Sequence, residues 1–400
     1  MMGVLHMWMR KFKFSQNILM NFIGIGIWCL AFGLFLSPIA GNRIAFMADE
    51  MYWIQTGRIV QLLVAKDWNN AFWDEYWGYS NFNGGKLLYG VGLGLLGGTT
   101  FEPIGMPPET YSRFKAYDGN PFPVSHNLYG MLWKGRAISA FFGALAVAVT
   151  SLYIWTFTKK MAFGLAAGVL LVLHPGFWLV ATHALADSSF LFFWILFLLL
   201  LERSRGTHPD RLTRYAVYGS IVAIATSIKV NGILLLLFLG LYELLVWRRE
   251  KIVLRIGIII CSFVVVFALL HPNFFFYPKR TPITVLNDRV RITLYHMQYF
   301  GQRDPGHVLW NVGNRVVSSV NNIFQPRWLV PIFVISLLWS LYRNIRLRTV
   351  GSSSYRVLLL TLITYIPMLG YVVFDEVRYF LPMLPVLYAA LFVGLSNQAS

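Results

Sequence analysis

An apolar run from Asn17 to Pro38 opens a series that governs what this chain can fold into. About 22 residues make roughly 33 Å of helix, enough to cross the hydrocarbon core of a bilayer. Inside lipid the backbone has no water to bond with, so such runs must be helical. Further apolar runs lie near 137–157, 161–181, 186–201, 215–228, 230–247, 253–271, 328–342, 357–374 and 379–395. They predict an all-α polytopic membrane protein, a single unit over residues 1–400 with about ten transmembrane helices. Charged residues make up only 13% of the chain, against about 25% in a soluble domain. The two cysteines, Cys29 and Cys261, both sit in apolar runs and define no disulfide framework.

Basic residues set the expected orientation. Arg10, Lys11 and Lys13 precede the first run, and Lys159 and Lys160 follow the second. Arg203, Arg205, Arg211 and Arg214 form the next group, then Arg248, Arg249, Lys251 and Arg255, then Arg343, Arg346, Arg348 and Arg356. Half of the 34 Lys and Arg thus crowd into short segments on one side, which the positive-inside rule makes cytoplasmic together with both termini. The net charge of +17 follows from this layout and does not imply nucleic acid. Two long loops, 39–136 and 272–327, then face the extracytoplasmic side. In the first, Asp49 to Leu63 has loose helical spacing that suits an interfacial helix. Leu87 to Gly98 is too short to span and suits a re-entrant or interfacial piece. Trp53, Trp68, Trp73 and Trp77 belong near lipid headgroups.

Charges that interrupt so apolar a chain are the candidate functional residues. Asp49 and Glu50 form an acidic pair about ten residues past the first span. Asp49 suits a helix N-cap, and a carboxylate there could equally take a proton from an acceptor hydroxyl. Lys229, in Thr226–Gly232 with Asn231, is either a snorkelling anchor or a partner for a lipid-linked phosphate. Asp187 opens the fourth span and suits an N-cap helped by Ser188 and Ser189, with His174 and His183 flanking the turn. Asp375, Glu376 and Arg378 mark the mouth of the last span, whose first turns Pro382 and Pro385 break. Arg378 offers a planar fork for phosphate oxygens, with Tyr379 beside a sugar or lipid. There is no metal-spaced His/Cys cluster, although Asp49 and Glu50 could share one divalent ion with a phosphate. The sequence contains no Walker A loop, dinucleotide fingerprint or G-x-S-x-G elbow.

One span, a long loop opening on Asp49-Glu50, further spans, and Arg378-Tyr379-x-x-Pro382-x-x-Pro385 at a late span together resemble the GT-C superfamily of integral-membrane glycosyltransferases. The nearest branch looks like the protein O-mannosyltransferase and aminoarabinose transferase family. Arg136–Val147 is similar to its second span, the stretch from Leu173 to Phe193 to its third-to-fourth turn, and Ser227–Leu236 to its Lys-bearing stretch. The resemblance implies a sugar donor on a polyprenyl phosphate and transfer with inversion at the extracytoplasmic face. It makes Asp49 the base and Glu50 its catalytic neighbour, with Lys229 and Arg378 on the donor phosphate. Asp187, Tyr379, Asn231 and His183 become substrate contacts. A protein, lipid or glycan is the acceptor, and membrane lipid surrounds the chain. The compact chain, without the inserted sugar-binding domain of eukaryotic members, points to a prokaryotic plasma membrane. Three other readings stand beside this one: a ligase or polymerase of lipid-linked glycans, a polytopic transporter, and a non-catalytic scaffold. The basic 272–327 loop supports the first of them.

Overall fold

The computed structural model describes residues 2–41, 43–44, 47–73, 81–98, 126–204, 212–246, 252–277 and 377–395, with isolated helical positions between 281 and 342. All regular structure among the described residues is helical. The expected span 357–374, and most of span 328–342 and of loop 272–327, lie outside them.

The chain runs α1 (Met2–Ala40), α2 (Ala48–Thr56), α3 (Ile59–Ala65), α4 (Asn83–Leu95) and α5 (His126–Thr158). Then come α6 (Met161–Leu173), α7 (Pro175–Thr182), α8 (Asp187–Arg203), α9 (Leu212–Ile228), α10 (Ile233–Val246), α11 (Ile252–Leu270) and α12 (Asn273–Phe276). A 3-10 segment, Val377–Met383, leads into α13 (Leu384–Leu395). Three helices are long and apolar enough to cross a membrane, within α1, α5 and α11. The bent pair α6–α7 would make a fourth, and α9, α10 and α13 are shorter apolar helices.

Burial sorts these helices. The apolar stretch of α5 is 78% buried, whereas those of α1 and α11 are 17% and 11% buried. α5 is therefore the central post, packed by α1, α6 and α8. α1 and α11 turn large side chains outward, including Phe22, Leu30, Val253 and Leu269. Apolar faces of this length suit lipid and not water. The inner face of α1 is aromatic, with Phe35 edge-on to Phe177 and Trp178.

Two expectations change in detail. The run 161–181 is not one straight helix: α6 and α7 meet at 72°. His174 is extended there, Pro175 takes the first helical position where its missing N–H costs nothing, and His174 Nδ1 accepts from Phe177 N–H. The stretch Asp49–Leu63, expected on the membrane surface, is packed into the protein, burying Met51, Ile54, Ile59 and Leu62.

The short piece expected as re-entrant or interfacial is α4, and it is wedged among other helices. Close approach explains its glycines. A Cβ on Gly84 would lie 2.6 Å from the Ser227 carbonyl carbon, and one on Gly90 would lie 2.3 Å from the Gly57 oxygen. Trp53 of α2 stacks on Tyr89 of α4, with ring centroids 6.1 Å apart. The Tyr89 hydroxyl bonds to Ser139 of α5, and Ser139 Oγ in turn meets the backbone of Leu185. Burial, aided by the nearby Glu50 and Asp187 charges, raises the Tyr89 pKa far above that of an ordinary phenol, so the ring is neutral.

Candidate active site

Ile44 after α1, α2, the start of α5, the α7–α8 turn, the end of α9 and the segment 377–383 all meet at one end of the bundle, linked by ion pairs and hydrogen bonds. These contacts join five of the residues singled out in the sequence.

Glu50 is fully buried, and its partner Arg136 is 3% exposed. Arg136 donates from Nε to Oε1 at 2.8 Å and from Nη2 to Oε2 at 2.9 Å, a two-pronged match of guanidinium to carboxylate. Oε1 also accepts the Ala184 N–H at 2.8 Å, and Oε2 the Met47 N–H at 2.9 Å. Every acceptor direction of the carboxylate is thereby used. One side chain joins α2, α5 and the α7–α8 turn. Arg136 adds a bond from Nη1 to the Ile44 carbonyl at 3.2 Å.

The capping expectation for Asp49 is corrected here. Met47 is the N-cap of α2, and Glu50 closes the helix start by accepting the Met47 N–H. Asp49 is instead one residue inside the first turn. Its Oδ2 meets Arg378 Nη1 at 2.7 Å, bringing together residues from near opposite ends of the chain. The Asp49 side chain is 36% exposed and that of Arg378 only 9%. Glu50 and Asp187 are enclosed by comparison, at 0% and 4%.

Asp187 also proves not to be a cap. Ala186 is the N-cap of α8 and makes no side-chain bond. Asp187 pairs through Oδ1 with Lys229 Nζ. Ser188 and Ser189 turn their hydroxyls back onto the carbonyls of Leu185 and Ala186. Lys229 is extended between α9 and a 3-10 turn, Val230–Gly232. Gly232 is required at that turn, since a Cβ there would come within 2.4 Å of the α9 backbone. Asn231 is half-buried in the same turn. His183 is buried, with its Nδ1–H donating to the Leu179 carbonyl at 2.8 Å. Arg378 and Tyr379 lie in the segment Val377–Met383, with Pro382 inside it. The side chain of Tyr379 lies outside the described residues, as do Asp375 and Glu376. Among the described residues, no three of His, Cys, Asp and Glu gather as a metal site would require.

Sequence reasoning missed Arg136, Lys86 and His271. Arg136 had a signal, being an arginine at the head of an apolar run with an orphan glutamate upstream. Lys86 is fully buried one turn into α4. His271, one residue beyond α11, fastens the start of that helix. Its Nε2 accepts the Asn83 N–H at 3.0 Å, and its Nδ1–H donates to the Phe267 carbonyl at 2.8 Å. Asn83 also donates its side-chain amide to Asn273. Burial, with the Lys86 charge adding to it, pushes the His271 pKa down to about 3, so the ring is neutral, as its acceptor nitrogen requires.

A scan against protein-family models finds no match to this chain. A search of curated proteins finds no match either.

Proposed function

We propose that this chain is a membrane glycosyltransferase. It moves a sugar from a polyprenyl-phosphate donor to an acceptor hydroxyl at the extracytoplasmic face, with inversion. The reading includes ten spans with both termini cytoplasmic, in a prokaryotic plasma membrane. The observation that carries it is a contrast among three paired carboxylates at one end of the bundle. Glu50 and Asp187 are enclosed, and Asp49 alone is open enough to meet an acceptor.

In this mechanism Asp49 takes the acceptor proton while the acceptor oxygen attacks the anomeric carbon. The bond from that carbon to the phosphate oxygen breaks, and the polyprenyl phosphate leaves as an anion. Arg378 lies beside Asp49 and stabilises the leaving charge, its planar guanidinium being suited to phosphate oxygens. Lys229, paired with Asp187, adds a second cation for the same phosphate. Glu50 holds α2, and so holds Asp49 where the acceptor arrives. Asn231, His183 and Tyr379 are the substrate contacts of this reading, and Asp187 acts beside Lys229.

The test is a transfer assay in detergent with polyprenyl phosphates bearing a hexose, a pentose or an amino sugar, each offered with protein, lipid and glycan acceptors. Wild-type transfer that Asp49→Asn abolishes while the protein stays folded supports the reading. Wild-type activity retained by Asp49→Asn removes the base assignment. No transfer from any donor to any acceptor moves the weight to a transporter or a glycan ligase.

A further inference from the structure

The charges at the other end of the bundle play no part in the mechanism above. Ser139 of α5 bonds the Leu185 backbone just ahead of α8, so these two helices set off level and run side by side. At about 1.5 Å per residue they reach Lys159 and Arg203 after roughly 30 and 27 Å, far from Asp49 and Glu50. α9 begins beside the end of α8, where Arg214 Nη1 donates to the Ser204 carbonyl at 3.1 Å. α11 begins there too. The Arg255 guanidinium lies 5.7 Å from the centre of the Tyr215 ring, with Nη1 3.9 Å from Glu243 Oε2 near the end of α10. The signs of charge are sorted at this end. Its two described carboxylates are enclosed, Glu202 at 8% and Glu243 at 1% exposed. Lys159 and Arg203 are exposed, and Lys160 and Arg214 are half-buried. Lys159, Lys160 and Arg203 have no carboxylate partner among the described residues. In sequence, the stretches 205–211 and 247–251 add Arg205, Arg211, Arg248, Arg249 and Lys251 against Asp210 and Glu250.

We infer that this end of the bundle is a docking surface for the headgroups of anionic phospholipids. Orientation during membrane insertion needs only an excess of Lys and Arg, and acids carry little weight in it. It therefore does not account for the withdrawal of Glu202 and Glu243, which leaves the outward charges of the described residues all positive. Such a surface draws a negative partner. The surrounding side chains narrow that partner to a lipid, because an apolar wall stands next to the cations. Met161 follows Lys160, Leu212 lies two residues before Arg214, and Val253 and Leu254 precede Arg255, and all four apolar side chains are exposed. Acyl chains would cover that wall while the headgroup meets the cations, as basic residues beside apolar helices meet an anionic leaflet. A free phosphate ion or a soluble acidic partner would use the cations and leave the apolar wall uncovered. The inference stands apart from the glycosyltransferase reading, since it uses none of the residues at the candidate active site.

Lipid binding to the full chain in an uncharged detergent tests this. The probes are phosphatidylglycerol and phosphatidylcholine with the same acyl chains, and native mass spectrometry counts the lipids bound across a titration. Wild type should bind phosphatidylglycerol at least about 10-fold more tightly, a preference that shrinks as salt rises because the cations are exposed. Each cation near an anionic surface contributes about 5-fold, so Lys159→Gln, Lys160→Gln and Arg203→Gln together should bring the preference below about 2-fold. The melting temperature of this triple variant should match wild type. If it does not, the charge-keeping set Lys159→Arg, Lys160→Arg and Arg203→Lys supplies the folded comparison and should retain the preference. Equal binding of the two lipids by wild type overturns the inference. So does a preference that the triple variant keeps, or one that the charge-keeping set loses. Displacement of bound phosphatidylglycerol by inorganic phosphate at low-millimolar concentration overturns it as well, because the surface would then hold a phosphate ion and not a lipid.

Discussion

Glu50→Gln gives the sharpest separation of holding the site together from acting in it. The amide keeps the shape of the carboxylate but loses its charge, and one of its two ends becomes a donor. That NH2 must then face an N–H of Arg136 and the backbone N–H of either Ala184 or Met47, so donors oppose donors. Arg136, 3% exposed, is left as a buried cation without its counter-ion. Removing one partner of a buried pair costs about 3–5 kcal/mol. A typical folded domain has only about 5–15 kcal/mol of net stability, so the loss is severe. Asp49→Asn sits at the other extreme. Its pair is partly open to solvent, and exposed pairs contribute about 0–1 kcal/mol. Unfolding in mild detergent, followed by tryptophan fluorescence, measures both. Arg136→Met completes a double-mutant cycle, because it removes the stranded cation. The double variant should be less destabilised than the sum of the singles by about 1–3 kcal/mol. A Glu50→Gln protein within about 1 kcal/mol of wild type, or strict additivity in the cycle, would refute the anchoring role.

The packing of α4 makes a second prediction. Gly84→Ala and Gly90→Ala place a Cβ against backbone atoms and should each cost about 1–3 kcal/mol in the same unfolding assay. Gly94→Ala, on the same helix but with nothing near its added Cβ, should be neutral or stabilise by about 0.5–1 kcal/mol. Acid stability carries a third. The folded-state pKa of His271 is depressed to about 3, so the unfolded chain binds its proton first. The contribution of His271 is therefore complete above about pH 6.5 and is lost as pH falls from there towards 3, by up to about 1.4 kcal/mol per unit. His271→Gln, which has an acceptor but no proton to gain, should flatten the slope between pH 6.5 and 5. A parallel slope in the variant would show that His271 is not its source.

The helices were legible because they rest on a local property. Asn17–Pro38, 215–228 and 253–271 are apolar for longer than a buried strand ever is, and α1, α9 and α11 occupy them. The break at His174-Pro175 was also written locally, in a proline whose meaning depends on whether it falls inside a helix or at its start. Asp49, Glu50, Asp187, Lys229 and Arg378 stood out for the same local reason: a charge in so apolar a chain is costly unless something holds it. What the sequence left open was which charge holds which. Both Asp49 and Asp187 were plausible caps by position, and neither caps a helix in the structure.

The amino-acid sequence by itself determined that the chain is helical and apolar, and which few ionisable groups need an explanation. Tertiary structure alone decided the pairings, Glu50 with Arg136, Asp187 with Lys229 and Asp49 with Arg378. It alone enclosed Glu50 while leaving its neighbour Asp49 open, and it alone carried Lys86 into the interior on a helix whose glycines let it approach. The physical reason is range. Helix formation is settled by contacts within a few residues, whereas the ion pairs join groups far apart in the chain. Burial depends on which helices close over a residue, and no window of sequence around Asp49 or Glu50 contains those helices.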